Sequence, residues 1–269
     1  MENWRPSPWV LEHYPSAIRA SALIESFLWF AREKLGIQSH QIASLCSICS
    51  DDLNSVELPN LEMVGPFMLG GLNGYPFVGK TGLGAFSHHV PVGGAAVLLC
   101  GPHVGITDAG QVGKVVRPGQ SDPSPCCGAA TAGLKKLLAG ELRPKCPSEF
   151  DPDDYQQETL EQLILNHASE ILGPSGSTEA DRFKRLTEVI YRELRNTVAK
   201  LLHSMEFHVP AFVFGGIIIN EDHGRISSIE MRDVHFIHNG EGSDIHQEFF
   251  DKSRSRFEAL KSGQANVFR

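Results

Sequence analysis

The spacing of apolar and polar positions along the chain predicts several amphipathic helices. Residues 16–36 place apolar side chains at helical spacing between Ser16, a candidate N-cap, and Gly36, a typical helix terminator. Similar helical patterns cover residues 127–139, 155–172, 178–206 and 246–262. The pattern at 178–206 is long and charged, so this helix is expected to cover the sheet or a neighbouring subunit.

Short apolar runs bounded by glycine or proline predict buried strands between these helices. They are GAAVLLCG at 94–101, AFVFGGIIIN at 211–220 and DVHFIH at 233–238. ASLCSICSDDLN at 43–54 passes from small apolar residues into a polar turn, as the end of a strand does. Strands that alternate with helices indicate an α/β fold, with a largely parallel central sheet flanked by helices. Because no stretch resembles a linker, residues 1–269 are expected to form a single domain with helical N- and C-terminal segments.

Charge and composition exclude several classes of partner. The formal net charge is −8, from 24 Lys plus Arg against 32 Asp plus Glu, and the basic residues are scattered along the chain. Nucleic acid is therefore not an expected partner. No apolar run approaches the length of about 18 residues that indicates a membrane span. The first residues, MENWRPSPWV, resemble neither a signal peptide nor a transit peptide, so a soluble protein is expected.

One sequence match points to nucleotide binding and fails on physical grounds. Residues 74–82, GYPFVGKTG, satisfy the phosphate-loop pattern G-x-x-x-x-G-K-[ST]. Pro76 removes one of the backbone N–H donors that would hold phosphate, and Tyr75 and Phe77 crowd a loop that must approach an anion closely. We interpret the match as a coincidence within a glycine-rich loop.

The cysteines and histidines indicate metal chemistry. Six cysteines, at positions 46, 49, 100, 126, 127 and 146, are too few for a disulfide scaffold and too closely paired for a simple disulfide plan. In a parallel sheet, the loops at the carboxyl ends of the strands meet at one edge. Three such loops carry Cys49, the pair His88 and His89, and the pair Cys126 and Cys127. Thiolate and imidazole ligands suit Zn²⁺, and three protein ligands leave one coordination position open for water.

The cysteine spacing leaves the ligand set open. Cys46 and Cys49 form a C-x-x-C motif, but the sequence has no second half for a zinc ribbon, and the acidic loop that follows opposes a thioredoxin-like role. Cys127 precedes a predicted helix, whose N-terminus would lower the pKa of the thiol and favour a bound thiolate. Taken singly, each cysteine fits the role of a small buried apolar residue better than that of a ligand. Taken together with the histidines, the cysteines favour a metal site.

Three motifs in series give the chain a family resemblance. They are GPFMLGGLNGYPFVGKTGLGAFSHHVP at 65–91, GPHVGITDAGQVGKVVRPGQ at 101–120 and CCGAA at 126–130. In that order they resemble the limiting-CO2-inducible B protein family of algal, diatom and bacterial carbon-concentrating systems, over most of residues 40–135. The resemblance implies a β-carbonic-anhydrase-like fold, a Zn²⁺ site, and a homodimer or higher homo-oligomer. It also implies a cytoplasmic location, or the plastid stroma if a targeting segment has been removed.

The resemblance also implies which residues bind the metal. The Cys-x-Asp, His-Val-Pro and Cys-Gly-Ala motifs of the family fall on Cys49, His89 and Cys127, which are therefore the expected zinc ligands. His88 and Cys126 are expected to be neighbours of these ligands. It stays open whether His88 binds the metal in place of His89, and whether Cys126 binds it in place of Cys127.

An aspartate and an arginine complete the expected site. Asp51 would accept the proton of zinc hydroxide and orient its oxygen toward CO2, or would itself bind zinc and close the site. In β-type enzymes an arginine two residues later keeps this aspartate off the metal, and here that position is Leu53. Arg117 is the candidate replacement, through a bidentate guanidinium contact, although it could be an ordinary surface charge. His103 is expected to be a structural histidine or a proton shuttle.

The implied function is that of a zinc-dependent carbonic anhydrase, which hydrates CO2 reversibly to bicarbonate. Zinc lowers the pKa of its bound water from 15.7 toward about 7, so that zinc hydroxide is the nucleophile. Leu53 at the arginine position leaves room for a zinc-binding but inactive protein that acts in CO2 or bicarbonate sensing, or as a scaffold in a carbon-concentrating mechanism. A thiol-redox protein is the third alternative.

Overall fold

The structure, a computed structural model, describes residues 5–54, 63–204, 208–225, 227–239 and 241–261. Helices flank a mixed eight-stranded sheet in an α/β fold. The helices are α1 (Pro8–His13), α2 (Ala20–Leu35), α3 (Gly79–Ser87), α4 (Gly128–Leu138), α5 (Tyr155–Asn166), α6 (Ala168–Leu172), α7 (Glu179–Ser204) and α8 (His246–Lys261). The strands are β1 (Ile18–Arg19), β2 (Ile42–Ser47), β3 (Val64–Met68), β4 (Ala95–Cys100), β5 (His103–Ile106), β6 (Lys114–Val115), β7 (Ser124–Pro125), β8 (Ala211–Glu221), β9 (Ser228–His238) and β10 (Glu241–Asp244).

The centre of the sheet is parallel, which confirms the predicted fold class. The strand order is β1-β9-β8-β4-β2-β3, and β2, β3, β4 and β8 all run in one direction. The antiparallel exception is β9, because a short turn joins it to β8, and two strands joined by so short a connection cannot be parallel. β1 and β10 pair with the outer edge of β9, while β6 and β7 form a separate two-stranded ribbon.

A close approach between two backbone segments separates β4 from β5, which follow each other along the chain and both pair with β8. β4 pairs with the first half of β8, and β5 pairs with the second half. Gly101 lies between them, where an added Cβ would stand 1.8 Å from the carbonyl oxygen of Gly216. Only glycine fits so close an approach. The chain resumes pairing at His103, opposite Ile218 of β8.

Apolar side chains pack on both faces of the sheet. On one face, α2 and α8 contribute Phe27 and Phe249, whose rings meet Phe212 and Phe214 of β8 at centroid distances of 5.4 and 5.7 Å. Edge-to-face ring pairs of this kind add about 0.5–1.5 kcal/mol each beyond the burial of their area. The other face is covered by α3, α4, α5 and α7. With both faces covered, β2 and β8 are buried along their whole length, as strands of central parallel sheets are.

Most predicted element bounds agree with the structure, and three differ. The strand predicted at 233–238 covers only the second part of β9, which begins at Ser228. The prediction at 155–172 divides into α5 and α6 at His167. Ser16 is not an N-cap, because Ile18 and Arg19 pair with β9 and α2 begins only afterwards; Gly36 does end α2, with a φ of 65°. Residues 205–206 and 262, at the ends of two predicted helices, lie outside the described residues. Within the described part of the chain, no helix combines the length and apolar character of a bilayer span.

Candidate metal centre

Two cysteines and a histidine converge at the carboxyl end of β2. Cys49 follows β2, His103 is the first residue of β5, and Cys127 is the N-cap of α4. One potential ligand atom from each, two Sγ atoms and an imidazole nitrogen, lie within 4.8 Å of one another. All three residues are buried, with exposed fractions of 4%, 1% and 2%. We refer to these three residues as the Cys–His–Cys group.

Asn220, near the end of β8, orients the imidazole of this group. Its side-chain N–H donates to the carbonyl oxygen of Leu53 at 3.2 Å and to Oγ of Ser227 at 2.9 Å. Its Oδ1 is therefore the atom that faces Nδ1 of His103, at 2.7 Å, and an amide oxygen can only accept. Nδ1 must carry the proton. Nε2 is buried and has no hydrogen-bond partner among the described residues, so it is the ring nitrogen available to a cation.

The electrostatics of the group favour a bound cation. The hydrogen bond with Cys127 lowers the pKa of the Cys49 thiol to about 4, and the same contact raises the pKa of Cys127 well above its usual value. Burial alone lowers the pKa of His103, but the adjacent sulfurs of Cys126, Cys127 and Cys49 outweigh it and raise this pKa well above its usual value. Without a metal, the group therefore holds a thiolate beside an imidazole that attracts a proton. A metal cation would take the place of that proton.

The thiolate at Cys49 has a further donor in the glycine-rich loop before α3. The backbone N–H of Asn73 donates to Cys49 Sγ at 3.2 Å. Asn73 adopts a positive φ of 53° and is buried, and neither polar atom of its side chain has a hydrogen-bond partner in the described ranges. The residue just before the nucleotide-like motif at 74–82 thus lies against the Cys–His–Cys group.

Asp51 lies beside the group and is held by Arg117. Nη2 of Arg117 is 2.9 Å from Oδ2 of Asp51, and Nε is 3.3 Å from Oδ1 of Asp52. The guanidinium thus spans two carboxylates instead of making the expected bidentate contact with Asp51 alone. The backbone N–H of Leu53 donates to the other oxygen of Asp51 at 3.1 Å. Burial raises the pKa of Asp51, so the donors around it are what keep the carboxylate charged.

The histidine that lies in the Cys–His–Cys group is not the one expected from the sequence. His88 and His89 are exposed just after α3, and the N–H of His89 donates to the carbonyl oxygen of Phe86 at 2.8 Å. The helix between two parallel strands must return the chain to the amino end of the sheet, which places His89 before β4, away from the carboxyl edge. His103 follows β4 and therefore lies at the edge where Cys49 is found. The group is Cys49, His103 and Cys127, and His89 is not part of it.

The remaining candidates have distinct positions. Cys126 is buried on the Nδ1 side of His103, with its Sγ 3.5 Å from Nδ1 and 3.4 Å from Oδ1 of Asn220. Cys46 lies within β2, where burial raises the pKa of its thiol to about 12. Sequence reasoning did not assign Asn220 or Asn73 to the site. One feature of the sequence could have indicated Asn220. It is the polar residue that ends the apolar run of β8, at the carboxyl edge of the sheet.

The donor atoms of the group fit zinc. Two sulfurs and one imidazole nitrogen are the ligands that this borderline-soft ion takes in catalytic sites with an open fourth position. The unpartnered Nε2 of His103 and the thiolate character of Cys49 are the two features of this structure that a zinc ion would satisfy. The buried cluster is therefore compatible with a metal such as zinc.

The mixed α/β sheet and the Cys–His–Cys group define a β-carbonic-anhydrase-like protein, and comparisons with known proteins identify its family. A family model described as limiting CO2-inducible proteins B/C β-carbonic anhydrases matches residues 21–239. The chain belongs to this family.

Two solved structures share the fold. The crystal structure of PtLCIB4, a homolog of the limiting CO2-inducible protein LCIB, has a TM-score of 0.76 and 24% identity, over 88% of this chain and 98% of that one. The crystal structure of LCIB has a TM-score of 0.65 and 19% identity, over 88% of this chain and 96% of that one. No curated protein matches the sequence.

Proposed function

We propose that this protein is a zinc-dependent carbonic anhydrase that catalyses the reversible hydration of CO2 to bicarbonate. The observation that carries the proposal is a restrained carboxylate, Asp51, two residues from Cys49 in a buried Cys–His–Cys group. Zinc bound there would supply a water with its pKa lowered toward about 7. We also propose that the chain is a single domain of this kind, since its core lies on the two faces of one continuous sheet.

Asp51 is proposed to orient the attacking water. A carboxylate that accepts the proton of this water fixes the direction of the remaining oxygen lone pair. CO2 is small, linear and uncharged, so little can be gained from binding it, and orientation of the nucleophile carries more of the rate. The contact with Arg117 supports this role in two ways, because it favours the ionised carboxylate and engages the Oδ2 atom, which could otherwise bind the metal.

Two further features are proposed to support the reaction without contact to the reacting atoms. They are the side chain of Asn220 and the burial of the three ligands. The hydrogen bond that Nδ1 of His103 donates to Oδ1 of Asn220 fixes the imidazole orientation, which keeps Nε2 available to the metal. Burial excludes water from the sulfurs and strengthens every electrostatic interaction within the group.

CO2 or bicarbonate and a second copy of this chain are the proposed partners. Apolar side chains at and near the outer strand β3 support a homodimer or larger assembly. Val64, Met68 and Val78 have exposed fractions of 38%, 46% and 42%. Apolar residues exposed on and beside an edge strand are typical of surfaces that another chain covers.

A zinc-binding protein without hydratase activity is the second candidate, and Leu53 favours it. The arginine that would stand two residues after Asp51 is replaced, and Arg117 divides its contacts between Asp51 and Asp52. Such a protein would act in CO2 or bicarbonate sensing, or as a scaffold in a carbon-concentrating mechanism.

Metal analysis combined with stopped-flow CO2 hydration tests these proposals. Stoichiometric zinc with hydration activity supports the carbonic anhydrase. Zinc without activity supports the second candidate, and a metal-free protein with an oxidisable dithiol would favour thiol-redox chemistry instead. Cys127→Ser should lose zinc and activity together. Cys146→Ser is the matched control, because Cys146 is exposed and lies outside the Cys–His–Cys group.

A further inference from the structure

A buried carboxylate at the end of β8 holds the loop that carries Arg117. Oδ1 of Asp222 accepts from the backbone N–H of Val116 at 2.7 Å, and Oδ2 accepts from the backbone N–H of Asp108 at 2.8 Å. The backbone N–H of His223 donates in turn to the carbonyl oxygen of Val116 at 2.6 Å. Both backbone groups of the residue before Arg117 are therefore engaged by one turn after β8.

The turn itself is well suited to this role. Asp222 has an exposed fraction of 3%, and hydrogen bonds from N–H groups to a buried carboxylate are stronger than those between neutral groups. Arg225 ties the same turn to the loop a second time, through an ion pair with the side chain of Asp108 and an N–H that donates to the carbonyl oxygen of Asp222 at 3.1 Å. The loop is fastened at both Asp108 and Val116.

The side chain of Arg117 is oriented from its other side. Nη1 donates to Oγ of Ser124 at 2.7 Å and to the carbonyl oxygen of Pro125 at 3.1 Å, both in β7. These contacts leave Nη2 and Nε for the two carboxylates. An arginine so far along the chain from Asp51 can hold it only if its own backbone is fixed, because a free arginine side chain loses much rotamer entropy on making one contact.

We propose that Asp222 is a positioning residue, which holds Arg117 against Asp51 and so keeps Asp51 out of the metal coordination sphere. The proposal rests on the metal site of the proposed function. Loss of the Asp222 carboxylate should release Val116, move the guanidinium away from Asp51, and leave that carboxylate free to bind the metal. Removal of Arg117 itself should have the same consequence.

Cobalt(II) in place of zinc gives a readout that does not depend on catalysis. The visible spectrum of Co²⁺ reports the number and type of its ligands, so the entry of Asp51 into the coordination sphere changes it. The comparison uses the 269-residue chain and its variants Asp222→Ala, Arg117→Ala and the double variant. We expect both single variants to change the spectrum in the same way, and the double variant to match them, since residues that act through one contact are not additive.

Glu221→Gln is the matched control. Glu221 precedes Asp222 and is likewise buried. Its Oε2 pairs with Arg19, and its Oε1 has no hydrogen-bond partner among the described residues. This variant should lower stability but leave the cobalt spectrum as in the wild type. If Asp222→Ala does not fold, Asp222→Asn replaces it, because the carboxamide keeps one acceptor oxygen and loses the second.

Hydration kinetics give the second readout. Both single variants should lower kcat by a similar factor, on the order of tenfold or more, with little change in KM. A wild-type cobalt spectrum in the Asp222 variants, together with an altered spectrum in Arg117→Ala, would overturn the positioning role. If the wild-type protein binds cobalt but does not hydrate CO2, the proposed function fails, and the spectra still decide the role of Asp222.

Discussion

Nδ1 of His103 donates to Oδ1 of Asn220 at 2.7 Å, which leaves Nε2 as the free nitrogen of the Cys–His–Cys group. The amide is held in turn by Leu53 and Ser227, so the imidazole cannot rotate without the loss of a buried hydrogen bond. One asparagine on β8 thus sets both the tautomer and the orientation of a residue on β5.

Removal of this amide should weaken zinc binding. We expect Asn220→Ala to reduce zinc affinity about 10- to 100-fold, the range found for partners of metal-bound histidines. Competition with a chromophoric chelator measures the affinity. Asn196→Ala, on α7 and outside the group, is the control and should bind zinc as the wild type does. Equal affinities in the two variants would remove the orienting role of Asn220.

The two histidine candidates can be separated by substitution. His103→Ala should lose most of its zinc, because it removes the buried imidazole of the group, whereas His89→Ala should keep a full complement. Plasma mass spectrometry after gel filtration measures the zinc content of the two variants. The reverse pattern would restore the ligand set expected from the sequence and contradict the structure.

Residues and helices that short local patterns determine could be predicted from the sequence. Features that depend on how distant segments meet in the sheet could not. Cys49 and Cys127 are marked by short motifs, and α4 follows Cys127 as its helical periodicity predicts. The choice between His89 and His103 depends on which edge of the sheet each residue reaches. That choice requires the path of α3 across the sheet, which no local motif contains. The expected N-cap at Ser16 fails for a similar reason, because the pairing of β1 with distant β9 delays the start of α2.

Removal of the Asp51 carboxylate should lower the hydration rate and have little effect on zinc binding. Asp51→Ala should retain zinc and lower kcat on the order of 100-fold, the usual contribution of a positioned proton acceptor. Asp52→Ala is the control. Asp52 contacts the same guanidinium, but its side chain is 70% exposed, against 13% for Asp51, so a much smaller effect is expected. Unchanged turnover in Asp51→Ala would exclude the orienting role of this carboxylate.

The close approach of β4 and β8 predicts a stability effect. Gly101→Ala should lower the free energy of unfolding by at least about 2 kcal/mol, because its Cβ would meet a backbone carbonyl 1.8 Å away that cannot easily move. Gly128→Ala, at the start of α4, has open space around the added Cβ and should be neutral or stabilising by up to about 1 kcal/mol. Urea unfolding of both variants compares them. Equal stabilities would mean that the two strands lie further apart than described.

The central claim is that Cys49, His103 and Cys127 hold one zinc ion while Arg117 keeps Asp51 away from it. An anomalous difference map at the zinc edge, from crystals of the zinc-loaded protein, tests this claim most directly. We predict one peak per chain, bonded to the two Sγ atoms and to Nε2 of His103, with Asp51 outside bonding distance. A peak beside His88 or His89, or no peak within the Cys–His–Cys group, would contradict the account.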